Sequence, residues 1–414
     1  MAAGLGFKDF VTGEVLTAAD VDGYLMQGVW VFADAAARTA AVTSPQEGNM
    51  SFLKDTNSTE YYSGSSWVAV GGSVPTSLEF TAGKNKIING DFGVNQRNFT
   101  STTTDATFGF DRFPLLYSGG TCTYSAQTFT LGAAPVAGYE GKNFARLVST
   151  SQTTAGHFCA TSQKIEDVRT FAGQTVTYSF WAKASTGTPN IGVAMQQNFG
   201  SGGSPSSEVI TSPAVQAITS SWARYSFTVN VPSISGKTIG TTANTSYLGA
   251  WIFTSAGTTI SGLGYPAVGL QNVTIDIWGV QLEAGSTATS FQTATGTLQG
   301  ELAACQRYFQ QYTIDVAYGT LSNYGSATST TNAESIIPLK ATMRVKPSTL
   351  TYGNLAWNNG VAVVAITSAS LAAESSTQFA YIAGTVASGL TQYRPYALSG
   401  NNNAAAYIGI SAEL

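Results

Sequence analysis

The clearest pattern along the chain is a two-residue alternation of apolar and polar positions. In QTVTYSFWAKAS, Val176, Tyr178 and Phe180 share one face while Thr177, Ser179 and Trp181 share the other, which is the period of a β-strand. WARYSFTVNVP and NVTIDIWGVQLEAG repeat it. From Lys86 to about Thr295, short β-branched or aromatic runs alternate with turns at the spacing of a sandwich or jelly roll. No helix of consequence interrupts this block, which argues against an α/β enzyme fold.

Helical spacing occurs in two places. Thr17 and Asp20 form a capping box, and Val21, Tyr24, Leu25 and Gly28 lie on one face, so a short helix is predicted from about Ala18 to Gln27. Trp30, Val31 and Phe32 then read as a strand, and Asp34 caps a brief helix in DAAARTAA. SFLKD and EYYSGSSWVAV supply two or three short strands. An isolated hairpin is marginal in water, so these strands need a neighbour, either the N-terminal helix or another copy of the chain. Gly71, Gly72, Ser73 and Pro75 read as a linker.

The second helical stretch is TLQGELAACQRYFQQY, where Leu298, Leu302, Cys305, Phe309 and Tyr312 recur at intervals of four and three over two heptads. Such spacing suits a single helix packed between domains or a self-associating bundle. β-type runs return in IIPLKATMRVKPSTLTYG, AYIAGTV and AAAYIGISAEL. The predicted architecture is mainly β. It has a small α+β module (1–72), a linker (73–85), a central jelly-roll sandwich (86–297), a short connecting helix (298–312) and a C-terminal all-β domain (313–414). No repeat of fixed period is evident, so a parallel β-helix is not expected.

Composition sharpens this picture. Charged residues make up only 10% of the 414, and Ser, Thr, Asn and 44 glycines carry the polarity, which suits turn-rich sheets and surfaces that meet neutral ligands such as sugars. With a net charge of -4 and scattered basic residues, no stripe can neutralise a run of phosphates, and no nucleic-acid partner is expected. No apolar run approaches a membrane span, the longest candidate being Val361 to Ile366. MAAGLGFKDF lacks the basic start and apolar stretch of a secretory signal. Cys122, Cys159 and Cys305 match no metal-ligand spacing and read as small buried residues, with a Cys122 to Cys159 bridge as an alternative.

Several stretches resemble a known family. GFKDFVTGEVLTAADVDGYLMQGVWVFADAAART with EYYSGSSWVAV resembles the N-terminal module of minor tail and tail-fibre proteins of long-tailed bacteriophages. NKIINGDFGVNQR, FDRF, QKIEDVRTFAGQTVTYSFWAKAS, QQNFGSGGSPS, SSWARYSFTVNVPSISGKTIG and DIWGVQLEAGSTATSFQ are similar to the carbohydrate-binding-module-like jelly rolls of such fibres. CQRYFQQY, LKATMRVKPSTLTYG and YIGISAEL resemble the region that follows. The resemblance implies a virion structural protein of the tail tip or tail fibre, assembled in the host cytoplasm and often trimeric. Residues 1–72 would then be the virion-attachment module, other tail or baseplate proteins its partners, and adsorption to host-cell polysaccharide its role.

Catalytic chemistry finds little footing in the sequence. The single histidine, His157, sits in the strand-like AGHFCAT beside Phe158 and Cys159, where a lone histidine is more often structural than catalytic. Asp91, Asp105, Asp111, Glu140, Glu166, Asp167, Glu208, Asp276 and Glu283 are available for a glycosidase pair but follow no pattern, and Asp111 with Arg112 or Glu166-Asp167 with Arg169 read as ion pairs at strand ends. No enzyme activity, cofactor or metal is expected. A structural calcium on Asp91 and Asp276, in the first and last strands of the jelly roll, is the minority alternative.

Sugar binding needs flat aromatic faces with amides and hydroxyls around them. Trp181, Trp251, Gln196, Asn198 and Phe199 supply that set if their strands share an exposed face. Gln196 and Asn198 rank ahead of the tryptophans, because amides buried without partners are costly and Trp181 is open to the same covering role as Trp222 and Trp278. A second candidate is TQYRPYALSGNNNAAA, where Tyr393, Arg394 and Tyr396 join aromatic area to a fixed charge in a predicted loop. The rival readings are a purely structural tail spacer and a polysaccharide-cleaving tailspike.

Overall fold

The computed structural model describes residues 11–21, 28–70 and 82–414, which fall into two compact units, residues 1–79 and 80–414. The fold is mainly β. Among the described residues no helix is long and apolar enough to cross a membrane.

In the first unit the capping box forms. Thr17 Oγ1 accepts from Asp20 N at 3.2 Å and Asp20 accepts from Thr17 N at 3.0 Å, opening α1 (Ala18–Asp20). The predicted continuation across 22–27 lies outside the described residues, as does most of the linker, including Gly71, Gly72, Ser73 and Pro75. After β1 (Trp30–Phe32), Asp34 caps α2 (Ala35–Ala41) by accepting from Ala37 N at 2.8 Å. Next come β2 (Met50–Leu53), β3 (Ser58–Tyr62) and β4 (Trp67–Val70), in a sheet of order β1-β2-β3-β4 with β1 parallel to β2. The buried Arg38 ties α2 to this sheet, its guanidinium lying 4.6 Å from the Trp67 ring centroid and paired with Glu60. The hairpin's neighbours are thus β1 and α2 of its own unit.

The second unit begins with a sandwich. Its strands are β5 (Ser101–Thr102), β6 (Thr107–Phe108), β7 (Pro114–Ser118), β8 (Thr121–Thr128), β9 (Asn143–Thr150), β10 (Phe158–Ile165) and β11 (Thr175–Ala184). They continue with β12 (Asn190–Asn198), β13 (Val209–Thr211), β14 (Gln216–Ala217), β15 (Ala223–Asn230), β16 (Tyr247–Ala256) and β17 (Val273–Ala284), with the one-turn α3 (Thr258–Gly262) after β16. One sheet runs β13-β12-β16-β10-β7-β6 with β14 on β12, and the other runs β15-β11-β17-β9-β8-β5. Between them Val176, Tyr178 and Phe180 meet Ile191, Val193 and Ile252, as the alternation demands.

The second sheet is covered on its outer face too. Asn85 Nδ2 donates to the carbonyls of Val280 and Gln292, and Glu283 accepts from Thr289 N and Oγ1, so the chain on both sides of the sandwich folds back over β17. The outward Thr177 and Ser179 are therefore buried. Cys122 and Cys159 are free thiols in the core, so no bridge forms. Hydrogen bonding to Cys159, then burial, pushes the Cys122 thiol up.

The predicted connecting helix ends early. Here α4 (Leu298–Gln306) gives way to β18 (Phe309–Thr313), so the heptad reading fails at Phe309 and Tyr312. Leu298 and Leu302 face solvent, and the buried face of α4 carries Cys305 and Glu301. Glu301 accepts from Asn89 N at 2.6 Å and from Thr295 N at 2.7 Å, which fastens the helix to the sandwich through a carboxylate where a leucine stripe was expected.

The remaining strands are β19 (Thr320–Ala327), β20 (Asn332–Pro338), β21 (Thr349–Gly353), β22 (Leu355–Asn358), β23 (Val363–Leu371), β24 (Phe379–Val386), β25 (Pro395–Gly400) and β26 (Tyr407–Ser411). A closed barrel of order β19-β20-β24-β23-β22-β25 surrounds Trp357, Ile382 and Leu398, and a small sheet β18-β26-β21 adjoins it. That small sheet also meets the sandwich. Gln96 Nε2 donates to Phe309 O at 2.8 Å, Arg112 pairs with Glu413 and lies 3.4 Å from the Tyr308 ring centroid, and Glu166 binds Arg307 at 2.8 Å and Arg344 at 2.6 Å.

Candidate functional site: an aromatic cleft on the open face of the sandwich

Strands alternate their side chains between faces, so Leu116 of β7, Ser162 and Lys164 of β10, Tyr247, Gly249 and Trp251 of β16, and Gln196 and Asn198 of β12 all point away from the sandwich core. Register brings them together. Ser162 lies opposite Trp251, Lys164 and Gln196 flank Gly249 from either side, and Asn198 lies opposite Tyr247. A cleft of about 270 Å³ opens over this face, lined by Phe108, Leu116, Ser162, Lys164, Tyr247 and Trp251, with Arg112 and Leu414 at its margin.

Trp251 is held from behind. Its ring stacks on Phe253 at 5.6 Å and 17°, and Tyr265 abuts it edge-on at 5.5 Å. Its indole Nε1 donates to Gln196 Oε1 at 2.9 Å, while Gln196 Nε2 donates to Glu208 at 2.7 Å. The indole's one donor is thus used within the protein, and the half-buried ring presents apolar surface to the cleft. Gly249 makes the arrangement possible, because a Cβ there would stand 2.9 Å from Trp251 Nε1 and 3.0 Å from Gln196 Oε1.

Polar groups surround the ring. Lys164 Nζ lies 4.8 Å from the Tyr247 ring centroid and donates to Leu414 O at 3.0 Å, and its backbone carbonyl accepts from Arg112 at 2.6 Å. Burial, reinforced by Arg112, pulls the Lys164 ammonium down from its usual value. Burial, with Glu208 adding to it, pushes the Tyr247 hydroxyl up, so it stays a donor at neutral pH. Ser162 Oγ is buried beneath this face, without a hydrogen-bond partner among the described residues.

Of the residues singled out from the sequence, Trp251 lines this cleft and Gln196 supports it from behind. Gln196 is not an amide awaiting a ligand, since both ends of its side chain are engaged. Asn198 shares the face, and its Oδ1 accepts from Gly200 N at 3.0 Å. Phe199 points into the protein and is buried, which removes it as a ligand contact. Trp181 belongs to the other sheet, wedged against Trp278 at 5.6 Å and Phe291 at 6.0 Å with Arg224 over its ring, so it covers the core as Trp222 and Trp278 do.

The Tyr393 segment is likewise not a single loop. Tyr393 and Arg394 are exposed, but Tyr396 lies in β25, is buried, and accepts from Thr391 N at 3.1 Å. Phe108, Ser162, Lys164 and Tyr247 escaped the sequence reading because they sit on three strands separated by up to 139 positions, and only the pairing register joins them.

The carboxylates are occupied structurally. Asp276 takes a bidentate pair with Arg146 at 2.7 and 2.9 Å and lies 3.7 Å from Lys183, and Asp91, in a turn and not in the first strand, accepts from Tyr139 at 2.8 Å. Asp276 is thus held by two cations and Asp91 by a tyrosine, and among the described residues there is no group of three or more His, Cys, Asp or Glu side chains that could hold a metal. Asp111 pairs with Arg97 rather than with its neighbour Arg112, and Asp167 pairs with Arg169 at 2.6 Å. His157 Nδ1 accepts from Thr153 N at 3.3 Å, a turn contact.

No protein-family model matches the sequence, and no curated protein matches it. Among solved structures, the chain is similar to the enzymatically active domain of bacteriophage CBA120 tailspike protein 4, at 16% identity and a TM-score of 0.28, over 49% of this chain and 22% of that one. It is also similar to a carbohydrate-binding module, CBM4, at 16% identity and a TM-score of 0.25, over 48% of this chain and 98% of that one. A third likeness is the family 11 carbohydrate-binding module of Clostridium thermocellum, solved with a mixed-linked tetrasaccharide, at 12% identity and a TM-score of 0.26, over 46% of this chain and 99% of that one.

Proposed function

We propose that this chain binds glycan through the Trp251 cleft and serves as a non-enzymatic tail-tip or tail-fibre protein that adsorbs a virion to its host cell. The observation that carries the binding claim is the braced Trp251 ring, its N–H already satisfied by Gln196, set in a cleft beside Tyr247 and Lys164. Pyranose rings present C–H faces to aromatics and hydroxyls to the surrounding polar groups, and this cleft offers both kinds of partner.

The tail assignment is supported by the resemblance of the N-terminal, central and C-terminal segments to minor tail and tail-fibre proteins. In that setting copies act together as a homotrimer, and weak single-site contacts become avidity. A non-enzymatic role is supported by the nine central-block carboxylates named above, each engaged by an arginine, lysine, amide, hydroxyl or backbone N–H, and by the lining of the cleft, which includes no Asp or Glu side chain.

Binding of the full chain to intact candidate host cells, with isolated wall glycan as competitor, tests this reading. Binding abolished by the glycan is the expected result. A folded oligomer that binds none of the cells favours a structural spacer.

A further inference from the structure

Phe108 lines a second cleft as well as the first. This neighbour, about 520 Å³, lies where β6 and the turn at Arg97 meet the small sheet β18-β26-β21. Register fixes its floor. Thr349, Ser411 and Phe309 form one cross-strand row, Thr351, Gly409 and Gln311 the next, and Gly353, Tyr407 and Thr313 the third. The alternate residues Leu350, Ile408 and Ile410 pack into the barrel core, so the rows just named form the sheet's other face.

The middle row has no side chain at its centre. A Cβ on Gly409 would stand 2.4 Å from Thr351 Oγ1 and 2.9 Å from Phe309 Cζ, so glycine lets Thr351 and the Phe309 ring close over the centre of this row. The side chains of Asn98, Thr107, Gln311, Thr349, Thr351 and Tyr407 all line this cleft, and none makes a hydrogen bond within the described protein. Arg97 lies over Phe309 at 3.6 Å, and its charge is answered by Asp111 and Glu413, so the cleft carries no free cation to attract a phosphate. Uncommitted hydroxyls and amides beside Phe108 and Tyr407, with the lining arginine already paired, match a neutral polyol.

We infer that the two clefts are successive subsites for one linear glycan, which runs from Trp251 past Phe108 onto Thr351 and Gln311. The inference rests on the glycan reading of the first cleft. It assigns the C-terminal sheet a direct part in recognition and the ligand a length of several sugar units, because one sugar cannot fill both clefts.

The test is calorimetric titration of the full chain with size-fractionated oligosaccharides released by mild acid from host wall polysaccharide. Long fragments are expected to bind about tenfold more tightly than disaccharides. Thr351→Trp, which fills the second cleft from an exposed position, and Gln311→Ala are each expected to remove that advantage while leaving disaccharide affinity and thermal stability unchanged. Equal affinity for all lengths, or a length dependence that both variants retain, overturns the second subsite and leaves the Trp251 site standing. Failure of every fragment to bind the wild-type chain overturns both.

Discussion

At the scale of single residues, Trp251 is where binding energy should concentrate. Trp251→Ala is expected to weaken glycan affinity by a factor of ten or more in calorimetry, since aromatic anchors in partly buried pockets dominate recognition. Gln196→Leu removes the acceptor for the indole N–H and a partner of Glu208, so it should weaken binding less and also lower the melting temperature. The thiols give a check on the core. Cys122, Cys159 and Cys305 are all buried and free, so an alkylating reagent should label none in the native protein and all three after denaturation. The sequence made some of these residues legible and hid others. Trp251 was visible as an aromatic in an alternating strand, but nothing local distinguished it from Trp181. The difference is that chain segments fold over β17 and cover Trp181, while the face of β16 stays partly open.

At the scale of elements, the strands of the sandwich were legible because two-residue alternation is a local property, and Val176, Tyr178 and Phe180 are buried as their spacing requires. The heptad through α4 misled because apolar residues at intervals of three and four do not distinguish one helix from a short helix followed by a strand. Pairing of Phe309 to Thr313 with β26 decided the matter from 94 to 102 positions away. The join between sandwich and C-terminal region yields a pH prediction. Burial opposes ionisation of Glu166, but the hydrogen bonds and charges of Arg307 and Arg344 outweigh it and hold the carboxyl below its usual value. A depressed carboxyl stabilises the fold fully above its unfolded pKa and loses that contribution as pH falls through the lower folded value. Glu166→Gln should therefore cost stability at pH 7 and little in the acid limit, as read by denaturant melts across pH. Arg344→Ala should cost about 1–3 kcal/mol at pH 7, because it strips a largely buried partner from that carboxylate.

At the scale of the whole molecule, residues 80–414 form one unit in which the ends of the C-terminal sheet are clamped to the sandwich by Arg112 with Glu413 and by Gln96 with Phe309. Calorimetric unfolding of this unit should give one cooperative transition rather than separate transitions for sandwich and barrel. Two independent transitions would mean that the join is weak, and the composite cleft with it. The central claim is that the cleft around Trp251 binds glycan. A glycan array probed with the full chain and with its Trp251→Ala variant tests it most directly. The account predicts that the wild type binds a defined set of glycans and that the folded variant loses them. A wild-type chain that binds nothing, or a variant that binds the same set equally well, would contradict it.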